Sequence, residues 1–289
     1  MSSIILPARS RHAIARREPN LLVPGKKPVG SVTVDWSNPL TRGLTHYWAL
    51  LPAARLTDIV ADSPVTLVGG AVQKPDGSLF FDGIDDKATH PIPPTSAAYT
   101  KIVRFVAHAA QSALSYGGPI HNAGRGECNW NHVGATYRGK WYARGADSVG
   151  RAVSIGSTDV GVELCAAMSF DSTAMISYIN GQHVETTATG VAAVQTNEQL
   201  VFGGHSSGSY FWAGEVLDVL FFDRVLSPSE IFALRRGGNR LLIAANQSPF
   251  LFPVGSAYPI ISNVEASAYS AASITPRCDI NYQIGRAHV

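Results

Sequence analysis

From Gly43 onward the chain is built of short apolar runs that alternate with polar residues and break at clusters of Gly, Asp, Asn and Ser. In Lys101–His108 successive side chains fall on opposite faces of a strand. Val103, Phe105 and Ala107 therefore share a face assigned to the core, and Arg104 and His108 one assigned to the open side. The same period of two predicts strands at 46–50, 65–68, 78–81, 100–109, 140–143, 152–155, 162–170, 174–179 and 200–202. Between 178 and 184 stands Asn180-Gly181, the pair that a two-residue type I′ hairpin turn requires because both central positions take positive φ. One helix is predicted. Ser227 offers an N-cap hydroxyl, Pro228 fits the first helical position and Glu230 can close a capping box; Ile231, Phe232 and Leu234 form an apolar face before Gly237-Gly238 stops the turn. The pattern predicts an all-β, two-sheet antiparallel sandwich with one short C-terminal helix.

The flanks read differently. Residues 1–42 lack periodicity, carry Pro7, Pro19, Pro24, Pro28 and Pro39, and form a basic, proline-rich arm. Residues 1–27 hold six basic residues against Glu18 alone, a net of +5, so the rest of the chain carries −3 of the overall +2. No aromatic residues interleave the arginines, so nucleic acid is not the expected partner of the arm. The body is assigned to 43–236, a proline-punctuated linker to 237–258, and a second alternating pattern to 259–282. The 289 residues include 27 Gly and 17 Pro and only 15% charged residues, a balance suited to a turn-rich β protein. Cys128, Cys165 and Cys278 are odd in number, far apart and outside any C-x-x-C pattern, so no disulfide framework or zinc ribbon is implied. Neither a signal h-region nor an apolar run of membrane-spanning length is present, so no membrane insertion is expected.

Taken in order, Gly43-Leu44-Thr45-His46-Tyr47-Trp48, the turn Phe81-Asp82-Gly83-Ile84-Asp85-Asp86, the hairpin Ser177-Tyr178-Ile179-Asn180-Gly181 and the closing segment Phe211–Ser227 resemble the laminin-G-like, concanavalin-A-like jelly roll. The approach Asp35-Trp36-Ser37-Asn38-Pro39-Leu40 after a basic arm resembles tailed-phage and prophage virion proteins that carry this domain, and 259–282 resembles the first strands of a fibronectin type III module. The resemblance implies a virion protein made in the host cytoplasm, an adhesin or decoration protein that binds a surface glycan or neighbouring virion proteins, with homo-oligomers as one expected form. Where many members carry a tryptophan or histidine, this chain has Val162-Glu163-Leu164-Cys165. Its last residues, Ile284-Gly285-Arg286-Ala287-His288-Val289, read as the translation of a short-read sequencing adapter, so 283–289 is expected to be an artefact that truncates the module.

The fold also hosts β-glucanases, whose acids are spaced E-x-D-x-x-E or E-x-D-x-E on one strand. Here Glu215 and Asp218 are three apart, which on a regular strand sends them to opposite faces, and Leu217 stands where the middle acid would be. No catalytic residues are assigned, and a polysaccharide-degrading enzyme is the alternative reading. Asp82, Asp85 and Asp218, with Asp86 beside them, are candidate oxygen ligands for a structural calcium ion, the last through the resemblance. His121, Cys128 and His132 fit no common zinc spacing and are read as loop. The same region suits a sugar. His121, Asn122, Arg125, Trp130, Asn131, Tyr137, Trp141 and Tyr142, with Tyr210 and Trp212 as a second wall, mix stacking rings with directional donors and acceptors. They are expected on exposed loops, with Trp141 and Trp212 lying in strand patterns.

Overall fold

The computed structural model describes residues 27–28, 31–52, 56–92, 96–108, 117–122, 125–133, 136–158, 160–193, 198–205, 208 and 210–245. For 92, 125–133, 136–138, 157–158, 198 and 244 it describes the backbone alone. The arm up to residue 26, the fibronectin-like 259–282 and the adapter-like 283–289 lie outside the described residues.

The strands in the first half are β1 (Val32–Val34), β2 (Leu44–Trp48), β3 (Thr57–Asp58), β4 (Ser63–Pro64), β5 (Thr66–Val68), β6 (Val72–Gln73), β7 (Leu79–Asp82), β8 (Lys87–Ile92), β9 (Tyr99–Ala107) and β10 (Ile120–His121). There follow β11 (Arg125–Val133), β12 (Thr136–Arg144), β13 (Gly150–Thr158), β14 (Glu163–Phe170), β15 (Ala174–Ile179), β16 (Gln182–Ala188), β17 (Glu198–Phe202), β18 (Ala213–Phe222), helix α1 (Pro228–Leu234) and β19 (Leu242–Ala244). A seven-stranded sheet runs β13-β12-β11-β10-β17-β8-β5. An eight-stranded one runs β16-β15-β14-β9-β18-β7-β6, with β2 also paired to β18. All pairings are antiparallel.

Alternation decides what lies between the sheets. Val103, Phe105 and Ala107 of β9 join Trp48, Phe81, Trp141, Phe202 and Trp212 in one buried cluster. The face assigned to the open side is not open. Ile102 of β9 packs with Tyr47, Cys165, Leu220 and Phe222 against Ile231 and Leu234 of α1 and Leu242 of β19. Arg104 on that face is only 7% exposed. β1, from the stretch read as arm, pairs with β19, from the stretch read as linker, so the folded body reaches past both expected boundaries.

A seven-residue helix is too short to persist by propensity alone, so α1 depends on its cap and its buried side chains. Ser227 Oγ accepts from Glu230 N, and the Glu230 carboxylate accepts from Ser227 N at 2.8 Å. Ile231 and Leu234 are fully buried. The hairpin turn forms at Asn180-Gly181, with φ of 50° and 82° as a type I′ turn demands.

Candidate functional site

The ten residues expected to gather on exposed loops divide three ways. Trp141, Trp212 and Asn122 are each 0% exposed and belong to the interior. Trp141 lies on the core face of β12, between Cys128 of β11 and Val153 of β13, because its parity matches that of Ile120 and Phe202 across the sheet. Trp212 packs on Phe81 and Phe105. Arg125, Trp130, Asn131 and Tyr137 sit in the β11–β12 hairpin, paired with Ala143, Gly139, Arg138 and His132. This segment is strand and not loop: its Gly and Asn residues hid a nine-residue ladder that lacks a β-branched run. The region read as a histidine–cysteine loop is therefore β10 and β11.

The remaining three mark the outer side of the seven-stranded sheet. His121 pairs with Val201 of β17. With Ile120 opposite Cys128, the row through His121 continues via position 127 to Tyr142 and Ala152. Two strand spacings separate His121 from Tyr142, about 10 Å. Over His121 lies His205, their ring centroids 3.8 Å apart, and Tyr210 meets His205 edge-on at 5.6 Å. Antiparallel backbone contacts place them: His205 N donates to Tyr210 O at 2.8 Å, and Gly204 bridges to Phe211. His121 is buried, while His205 and Tyr210 are half-buried. A side chain at Gly150 would collide with the Tyr142 hydroxyl, so that glycine lets Tyr142 lie along the sheet. His205 was not singled out in the sequence; the glycines at 203, 204 and 208 were its available signal of a tight, projecting turn.

The acidic residues of β18 depart from the expectation. A β-bulge shifts the register between Val216 and Asp218, so Val216 faces Phe105 and Asp218 faces Arg104. Glu215 is opposite Val106, and Glu215 and Asp218 consequently share one face. Each is held by cations. Asp218, 0% exposed, accepts from Arg104 Nη1 at 2.7 Å, and Arg104 also reaches Glu163 at 2.6 Å. Burial pulls the Arg104 guanidinium toward neutrality, but Asp218 and Glu163 outweigh it and raise its pKa. Glu215 binds Lys74 at 2.8 Å and His108 at 3.2 Å. Burial first, and then the Asp218 charge, push the Cys165 thiol well above its usual value, which leaves it an inert core group.

Asp82, Asp85 and Asp86 come together, with one oxygen of each within 4.8 Å of the others. Asp218 is not among them. Asp86 is 2% exposed; its Oδ1 accepts from Gly70 N and its Oδ2 from Asp82 N at 2.9 Å, while Asp82 Oδ1 accepts from Ile84 N at 2.7 Å. Asp85 and the second Asp82 oxygen are the groups with most capacity left for a hard cation. Among the described residues no helix is long and apolar enough to cross a membrane.

Two facing antiparallel sheets closed by a capped helix define a concanavalin A-like jelly roll. The sequence profile of the concanavalin A-like lectin/glucanases superfamily matches residues 133–232. Among solved structures, the binding domain of Paraclostridial Mosquitocidal Protein 1 aligns with a TM-score of 0.55 and 11% identity, over 68% of this chain and 52% of that one. The botulinum neurotoxin serotype D binding domain aligns with a TM-score of 0.53 and 11% identity over 67% and 50%. The botulinum neurotoxin serotype D ligand binding domain in complex with N-acetylneuraminic acid gives 0.54 and 11% over the same shares. The chain spans about half the length of these structures. No curated protein matches in sequence.

Proposed function

We propose that this chain is a non-catalytic binding module of a tailed-phage particle. In this reading its jelly roll docks a surface glycan, or a neighbouring virion protein, on the outer side of the seven-stranded sheet. The observation that carries the reading is the ring cluster His121–His205–Tyr210, which sets two half-buried rings on the row of Tyr142. Ring faces suit the C–H side of a sugar and the imidazole and phenol edges suit its hydroxyls. That a structural neighbour was solved with N-acetylneuraminic acid makes acidic sugars the first ligands to try. The phage assignment is supported by the basic arm and by Asp35-Trp36-Ser37-Asn38-Pro39-Leu40. Binding to an array of bacterial and sialylated glycans is expected and should be lost in Tyr210→Ala; retention of full binding by that variant rejects this face.

A second reading is favoured by one observation, the bulge that brings Glu215 and Asp218 to the same face. A glycosidase needs one carboxylic acid and one free carboxylate flanking the bond, and both groups here are committed to cations. Release of reducing ends from polysaccharide, abolished by Glu215→Gln, would establish hydrolysis instead. We also propose a structural calcium ion at Asp82, Asp85 and Asp86. Added calcium should raise the melting temperature of the native chain and leave Asp85→Asn unchanged.

A further inference from the structure

Lys101 lies on the core face of β9 with Tyr99 and Val103, and its side chain is 0% exposed. Lysine stems commonly run along apolar surface while the ammonium reaches water. Here Nζ instead lies between the sheets, 4.5 Å from the Phe221 ring centroid and 5.4 Å from that of Tyr99. At 2.8 Å it meets Oδ1 of Asn122, itself 0% exposed and placed just after β10 in the opposite sheet. The Asn122 amide is oriented from its other end, where Nδ2 donates to Gln199 O at 3.4 Å.

We propose that Lys101 and Asn122 condense into an intramolecular isopeptide bond that joins the two sheets. The lone pair of Nζ attacks Cγ of Asn122, and a C–N bond forms between them. The bond from Cγ to Nδ2 breaks, and a proton from the former lysine amine passes to Nδ2, which departs as ammonia. Nothing is oxidised or reduced, and no co-reactant is consumed. The site supplies what this step needs. Packing across the sandwich holds amine and carboxamide at near-attack distance. The nucleophile in this step is the free base, formed when Nζ gives up one proton. The product is one neutral secondary amide in place of an amine and a carboxamide, and ammonia leaves the site. The bond would tie β9 to β10 and close the segment between them, a constraint that reducing agents cannot undo.

The test is the intact mass of the purified full chain under denaturing, reducing conditions, followed by tryptic mapping. The expected result is a wild-type mass lighter than the sequence by one ammonia, no cleavage after Lys101, and a branched peptide that carries both Lys101 and Asn122. Lys101→Met and Asn122→Ala should each show their full sequence masses. Since the decisive measurement is on the wild-type protein, a variant that fails to fold does not blunt it. A wild-type mass equal to the sequence, with linear peptides ending at Lys101 and containing intact Asn122, overturns the proposal. So does an ammonia loss that maps elsewhere, for example to Asn180-Gly181, with those two peptides linear.

Discussion

Replacing Asp218 by alanine tests how the outer face of the eight-stranded sheet is held. Arg104 and Asp218 meet at 2.7 Å with side chains 9% and 1% exposed, so the pair is desolvated on both sides. Removing one partner of such a pair leaves a buried charge uncompensated, at a cost of about 3–5 kcal/mol. Glu163 remains to Arg104, but its side chain is 54% exposed and screened, which offsets at most about 1 kcal/mol. Asp218→Ala should therefore lose about 3 kcal/mol, read as a lower urea midpoint at unchanged slope. The double variant Arg104→Met with Asp218→Leu keeps apolar volume beside Ile102, Cys165 and Leu220 and should recover most of that loss. The reasoning fails if Asp218→Ala costs under about 1 kcal/mol, or if the loss in the double variant equals the sum of the losses in Arg104→Met alone and Asp218→Leu alone.

Three further outcomes follow from other parts of the fold. Burial lowers the His90 pKa below its usual value, so His90 binds fewer protons folded than unfolded; thermal stability should hold above about pH 6.5 and decline as pH falls below it, and His90→Phe should flatten this first decline. Asp58 is buried, yet His46 and the N–H groups of Tyr47 and Val60 outweigh burial and lower its pKa. Its contribution is thus present above the usual carboxylate range and is lost only as pH falls through the lowered value, a second step that Asp58→Asn should remove. Ser227→Ala deletes one arm of the capping box and should cost about 1 kcal/mol in chemical denaturation, with Ser227→Asp close to neutral.

Much of the scaffold was legible in the chain because local chemistry and tertiary context agreed there. Asn180-Gly181 demanded its turn, Ser227 to Glu230 its cap, and the parity of Val103, Phe105 and Ala107 its buried face. The same parity places Lys101 inside, but a lysine in a strand is ordinarily a solvated residue, and nothing local announces Asn122 across the sandwich. β11 was missed because its Gly, Asn and His residues have low strand propensity and are held by the ladder on either side. The faces of Glu215 and Asp218 were misassigned because a bulge adds one residue to the count, and its position depends on the partner strand β9.

That bulge also bears on where a ligand can sit. By turning Asp218 onto the outer face of β18 it supplies the anion that Arg104 needs beneath the cover formed by α1, β1 and β19. Gly237, at φ of 94°, lies so close to Arg104 and Asp218 that any side chain there would strike both, so the cover seats directly on the ion pair. A ligand could reach this part of the sheet only by lifting the helix and breaking buried contacts of Ile231 and Leu234. On the opposite sheet His205 and Tyr210 are half-buried, in ring contact with each other and outside both hydrophobic clusters. Gly237→Ala separates the two faces. It should destabilise the fold by displacing the cover and, on the function proposed above, leave glycan affinity unchanged in the folded fraction; a loss of affinity in proportion to the shifted cover would move the proposed site to the eight-stranded sheet.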